Sequence, residues 1–460
     1  MATTNLVTTS ATRFLATKAP ALPFAPVQYD RGYQDTFNNI LRQYFSTLDN
    51  FLSQLMASSS GLIGVYGAGT GADAFGRLRV SNPYTLFDSQ NRFAADNQFS
   101  QSTTGTGSAT YVAAESSVRL QVTANGDQAI RQSLRCMPYQ PGKGLLVMCT
   151  FVMVPAAGVT AQVGYYNAAN GVFFQSPGGG EPEFVLRSST TGVPVERIEP
   201  QSAWNGDKLD GTGASGITLD LTKAQILWMD FEWLGVGSVR CGFIIDGQFI
   251  VCHTYNNAND INKVYMTTAI LPVRYQITRT SGTGAATLTQ ICSTVISEGG
   301  YGQVSSPNTV RRTSALGSIS TTFLPLVAIQ LNSGREGAIV LPQTVNVMPT
   351  AAGDYEVVLM RTDSSPLTGG AWVTSDFPNV QYNISATAVT QPTPSQIVDQ
   401  FYITATNQSA GASSEPVAYN FDTQIGASIA GVSQVYVVAV RVLAGTGSAI
   451  GALSFYDLTQ

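Results

Sequence analysis

The sequence predicts a mostly β chain: two β-sandwich domains, jelly-roll or lectin-like, preceded by an extended arm and one amphipathic α-helix. Three observations lead there. Beyond residue 75, runs of β-branched and aromatic residues recur at roughly ten-residue spacing between Gly, Pro, Asn and Asp. Charged residues make up 12% of the 460 and hydrophobic residues 44%. Sizeable cores are therefore expected under a surface made polar by hydroxyls and amides rather than by charge. One window alone carries a sustained helical period.

The elements follow in chain order. Pro20, Pro23 and Pro26 punctuate a Thr- and Ala-rich start. Proline lacks an N–H and biases its neighbour toward extended backbone, so residues 1–30 read as an arm. From Tyr33 to Met56 no Pro or Gly intervenes, and Phe37, Leu41, Tyr44, Leu48, Phe51 and Leu55 recur at steps of four and three. Tyr33, Ile40, Phe45 and Leu52 widen this stripe. Such spacing predicts a helix with one broad apolar face. The face could pack on its own β domain. Its aromatic width, its place near the start of the chain and the flexible segment after it favour packing on other copies or on a larger assembly. The six residues from Phe37 to Leu55 are the predicted assembly contacts. SSSGLIGVYGAGTG, residues 58–71, reads as a Gly/Ser hinge. No Lys-Ser or Lys-Thr follows to make it a phosphate loop. The expected organisation is 1–57 arm and anchor helix, 58–74 hinge, 75–300 first sandwich and 301–460 C-terminal β domain.

Within the first sandwich, strands are expected at Ser117–Val122, Gly144–Val154, Val159–Tyr166, Val172–Gln175, Glu183–Arg187, Gln225–Leu234, Val239–Ile245, Gln248–Thr254 and Val273–Thr278. Many are apolar on both faces, as strands inside a sandwich are. Asn170-Gly171 and Asp246-Gly247 suit type I′ hairpins. With Asp246-Gly247 as the loop, Cys241 is expected opposite Cys252, Phe243 opposite Ile250 and His253 opposite Arg240. The two cysteines are expected as free buried thiols and His253 as structural. The C-terminal series covers Phe323–Leu331, Gly337–Leu341, Tyr355–Arg361, Val380–Ala386, Phe401–Thr406 and Gln434–Val442.

Composition narrows the chemistry. Net charge is −5 and no block of like charges occurs, so nucleic acid is not an expected partner. His253 is the sole histidine and the five cysteines are widely spaced, which disfavours zinc sites and His-dependent triads. No run of apolar residues is long enough for a spanning helix, so no membrane insertion is expected, and the first 22 residues predict no secretory signal. Asn205, Asp207, Asp210 and Asp220 in WNGDKLDGTGASGITLDL read as a Gly/Asp-rich surface loop rather than a calcium site. No cofactor or metal is expected.

ILWMDFEWL, residues 226–234, alternates cleanly and sets Trp228, Asp230 and Glu232 on one face. Two carboxylates beside a Trp form a candidate ligand site and resemble, on paper, a sugar-cleaving pair. The competing reading pairs them with Arg187, Arg240 or Arg274 across strands. No catalytic residue is assigned, and the chain is expected not to be an enzyme.

Two stretches carry a resemblance: DAFGRLRVSNPYTLFDSQNRF (73–93) and the long run from Gln201 to Tyr275, with NAANGVFFQ and FVLRSSTTG between them. Over roughly 75–300 the chain resembles a module of virion proteins of tailed phages of marine bacteria and of some large algal viruses. YDRGYQDTFNNILRQYFSTLDNFLSQL is similar to short helical segments that open phage particle proteins. The resemblance implies a virion structural protein, assembled in the host cytoplasm, homotrimeric and fibre- or spike-like. Its partners would be other copies of itself and neighbouring virion proteins, with a host-surface glycan as candidate ligand. The alternative is a receptor-binding or polysaccharide-degrading tail spike. No family site residues carry over.

Overall fold

A computed structural model describes residues 28, 30–46, 82–302, 305, 307–406, 413–416 and 421–459. The predicted arm and hinge, and Leu48, Phe51 and Leu55 of the predicted assembly set, lie outside the described residues.

The described chain is mostly β, built as two antiparallel sandwiches. In the first, one sheet runs in the order Gln248–Tyr255, Val239–Ile245, Gln225–Phe231, Leu145–Met153, Ala286–Ser297, Ser117–Val122 and Ser108–Val112. Tyr84–Gln90 also pairs with Ala286–Ser297. Facing it is the order Val195–Pro200, Glu183–Ser188, Gly171–Ser176, Val159–Tyr166, Val273–Arg279, Gln128–Ser133 and Phe99–Thr104. The second sandwich sets Pro307–Arg311, Gly447–Asp457, Val340–Pro349 and Ser413–Pro416 against Val380–Asn383, Leu324–Leu331, Val435–Val442, Gly353–Thr362 and Ile397–Ala405.

Alternation decides which side chains meet. In Gln225–Phe231, Leu227, Met229 and Phe231 enter the first core, where Phe174, Phe184 and Phe243 stack edge-on or tilted within 6.1 Å of one another. That core does not stop at the domain boundary. Ile339, Leu341, Phe421 and Leu458 of the C-terminal half belong to it. Hydrogen bonds close the same seam: Ala427 N donates to Leu134 O at 2.8 Å and the Gln424 side-chain Nε2 to Cys136 O at 3.0 Å. Arg135, buried there, donates to Phe421 O and Gln98 Oε1 and pairs with Asp422.

A charge-poor chain must still satisfy its buried cations. Here several use neutral acceptors. Arg131 donates to Gln290 Oε1 at 2.7 Å, Arg274 to Gln276 Oε1 at 2.6 Å and Gln132 Oε1 at 3.0 Å, and Arg279 to Gly284 O at 2.6 Å. Each works as a hydrogen-bond staple between chain segments, a use that the five-donor guanidinium suits.

The two hairpin expectations fare differently. Asp246 and Gly247 have φ of 51° and 75°, as a type I′ turn requires. At Asn170-Gly171 only Gly171 has a positive φ, so that turn is not type I′. Instead Asn167 Oδ1 accepts from Ala169 N and Asn170 N, both at 2.8 Å, and closes the loop as an Asx turn.

The helix runs over 31–46. Asp30 caps it, its Oδ1 accepting from Gly32 N at 2.7 Å and Tyr33 N at 3.3 Å. Tyr33, Phe37, Ile40, Leu41 and Tyr44 are half-buried, Phe45 is 55% exposed, and no residue of this helix is buried. Tyr33 and Phe37, one turn apart, stack at 6.1 Å.

Candidate functional site

Trp228, Asp230 and Glu232 were read either as a candidate ligand site or as carboxylates paired with arginines across strands. The placement of Asp230 is that of the second reading. Trp228 is 1% exposed and Asp230 fully buried. Trp228 Nε1 donates to Ile250 O at 3.3 Å, and its ring meets Phe249 edge-on at 5.4 Å. Gly242 is what lets the indole lie there: a Cβ on it would sit 3.0 Å from Trp228 Nε1 and 1.8 Å from Ile250 O. Asp230 stands directly opposite Arg240 on the neighbouring strand, and the two form a buried ion pair. This is the cross-strand pairing that competed with the ligand reading. Glu232 lies just past the strand end, its carbonyl accepting from Tyr265 Oη at 3.0 Å. The period of two placed Asp230 on its face correctly, but it cannot report what covers that face.

The hairpin beyond Arg240 carries a correction. Register holds from the turn through Phe243 opposite Ile250, and then a bulge at Cys241/Gly242 shifts it by one. Cys241 therefore faces His253 rather than Cys252, and Arg240 faces Thr254 rather than His253. Cys241 and Cys252 are both buried, unbridged thiols. Burial pushes the Cys241 thiol far above its ordinary range and those of Cys136 and Cys149 up to about 12, which keeps them protonated and inert.

His253 is 3% exposed, edge-on to Tyr255 at 4.5 Å. Among the described residues neither ring nitrogen has a hydrogen-bond partner. Burial lowers its pKa, Glu199 opposes that shift, and Arg197 reinforces it. The consequence has a definite sign. Above pH of about 6.5 the ring is neutral whether the chain is folded or not. Below that the unfolded chain takes up a proton that the folded chain resists, so stability falls as pH falls. Denaturant midpoints should drop between pH 7 and pH 5.5, and a His253→Phe variant should lose the part of that slope lying near pH 6. An unchanged slope in the variant would remove His253 from the account. With one histidine in the chain, the comparison is clean.

The Asp-rich loop caps its own turns. Asp207 Oδ1 accepts from Leu209 N at 2.9 Å, Asp210 Oδ1 from Thr212 N at 2.9 Å, and Asp220 Oδ1 from Thr222 N at 3.0 Å. No grouping of metal-binding side chains occurs among the described residues, and no helix among them is long and apolar enough to cross a membrane.

A groove lined by described residues lies elsewhere, at the sandwich edge. One wall is the hairpin of Glu183–Ser188 and Val195–Pro200; the other is the loop 257–265. Sequence reading passed over it. The available signal was the amide-dense run NNANDIN at 256–262.

No family model and no curated protein matches the chain. Solved structures do align with it. A sialidase is 9% identical, covering 48% of this chain and 19% of its own, with a TM-score of 0.30. A Bacillus licheniformis β-glucanase is 11% identical, covering 47% of this chain and 98% of its own, at 0.29. Arcelin-5, a lectin-like defense protein from Phaseolus vulgaris, gives 11%, 47%, 98% and 0.29. At these scores none assigns an activity or a ligand to this chain. They do correct one expectation. Two of the three are glycosidases by name, so the exclusion of an enzyme does not stand. That exclusion rested on the scarcity of histidine and cysteine and on reading Asp230 and Glu232 as paired with arginines across strands.

Proposed function

We propose that the chain is a structural subunit of a bacteriophage particle, a homotrimeric fibre- or spike-like surface component held by its N-terminal arm and helix, with the paired sandwiches displayed outward. One observation carries this reading. Helix 31–46 gathers Tyr33, Phe37, Ile40, Leu41 and Tyr44 on one side, and none of them is buried, while both sandwich cores close without them. Five such side chains, covered by other copies or by a neighbouring virion protein, would contribute on the order of 10 kcal/mol before ordering costs. The uncharged polar surface fits the same role, since stability that does not rest on exposed ion pairs survives changes of salt.

The test replaces Phe37 and Leu41 together with Asp. Light scattering should show the oligomer mass falling to that of the monomer, while the thermal transition of the sandwiches stays within about 1–2 °C, as surface changes do. Retention of the wild-type mass would refute the assembly role. A receptor-binding spike is the second reading, favoured by the polar groove at the sandwich edge.

A further inference from the structure

We infer that the groove between the Glu183–Pro200 hairpin and the 257–265 loop is a binding site for neutral oligosaccharide. The inference rests on the attachment reading and names its ligand class. The groove holds about 680 Å³, within the usual range for small-ligand sites and enough for a short stretch of sugar rings.

Its loop is built to hold still. Asn257 is 3% exposed, and its Nδ2 donates to Gly237 O at 2.7 Å. Asn257 O in turn accepts from Asp260 N and Ile261 N, both at 3.2 Å, which closes a tight turn. Asn259 sits at φ 64°, the left-handed conformation that Asn tolerates better than most residues. The turn leaves Asn259, Asp260, Asn262 and Lys263 exposed along the groove. Across from them, Glu199 accepts from Arg197 Nε at 3.0 Å, and the Arg197 guanidinium lies over the Tyr255 ring at 5.1 Å. Arg197 lines the groove.

The chemistry matches vicinal hydroxyls. Each planar amide offers a donor and an acceptor side by side, the carboxylate offers paired acceptors and the guanidinium paired donors. Buried Leu186 and Tyr265 form the apolar backing that the C–H faces of a sugar need. Formal charge cancels, Arg197 and Lys263 standing against Asp260 and the adjoining Glu199. A polyanion gains nothing from such a groove, whereas a neutral glycan meets hydrogen bonds without a field. Trp228, Asp230 and Glu232 do not line it.

The test presents the full chain to a printed array of neutral and acidic bacterial and algal polysaccharides. Retention on at least one neutral glycan is expected. The double variant Asn259→Gly, Asn262→Ala should weaken it at least ten-fold, as should Asp260→Ala, with melting temperatures unchanged. Three results would overturn the site: no neutral glycan retained, acidic glycans alone retained, or retention undiminished in both variants. Oligomer mass measured on the same samples separates this outcome from failure of the assembly reading. A chain that is monomeric yet retains glycan loses the second and keeps the first.

Discussion

Asp230→Ala is expected to destabilise the first sandwich by about 3–5 kcal/mol, because it removes the buried carboxylate that pairs with the buried Arg240 cation. The carboxylate is fully buried and lies directly opposite Arg240 in the strand pairing. Asp230→Asn should cost somewhat less, since the amide oxygen still accepts a hydrogen bond. Replacing both partners, Asp230→Leu with Arg240→Met, should recover much of the loss, as paired buried charges are often exchangeable for apolar packing. Urea unfolding of the four proteins decides the matter. If Asp230→Ala were as stable as wild type, the pair would not be the structural element that the geometry indicates. If the double replacement were worse than either single one, neighbouring groups would have to depend on the pair's charge.

That strand shows how far the residues could be read without coordinates. Alternation put Leu227, Met229, Phe231 and Trp233 on the face opposite Asp230, and folding makes the first three of them core. It could not tell an open face from a covered one, because burial is set by distant segments. The hairpin gives the same lesson at finer grain. Asp246-Gly247 fixes a local turn geometry, so Phe243 opposite Ile250 follows from the residues alone. The bulge at Cys241/Gly242 arises where Gly242 must lie against Ile250 O, a tertiary demand with no local signal.

Strands apolar on both faces, such as Val159–Tyr166 and Val239–Ile245, were legible to the residue. Phe99–Thr104 and Ser108–Val112 were missed because they are Ser/Thr-rich with mostly exposed or half-exposed side chains, and Val195–Pro200 because it is a charged, exposed edge. Gly447–Asp457 escaped because its alternating buried positions include Gly447, Ala449 and Gly451, too small to register as an apolar stripe. The groove escaped for a different reason. Its two walls are some 60 residues apart in the chain, and only folding brings them together.

The seam between the sandwiches supports the second large effect. Leu341 belongs to a strand of the second sandwich, yet it is 0% exposed inside the core of the first. Leu341→Ala should therefore cost about 2–5 kcal/mol by removing buried methyl groups and leaving a cavity. The informative quantity is where that cost is felt. Trp204, Trp228 and Trp233 lie in the first sandwich and Trp372 in the second. In a Trp372→Phe background, tryptophan fluorescence reports the first sandwich alone, while circular dichroism reports both. If the core is continuous, the two probes should give one coincident transition in the parent, and Leu341→Ala should lower both midpoints together. Independent domains joined by a linker would behave otherwise: the fluorescence midpoint would stay put while the dichroism curve split. Cooperative unfolding also bears on the proposed assembly role, in which a load taken by helix 31–46 would meet a single rigid body rather than two beads on a string.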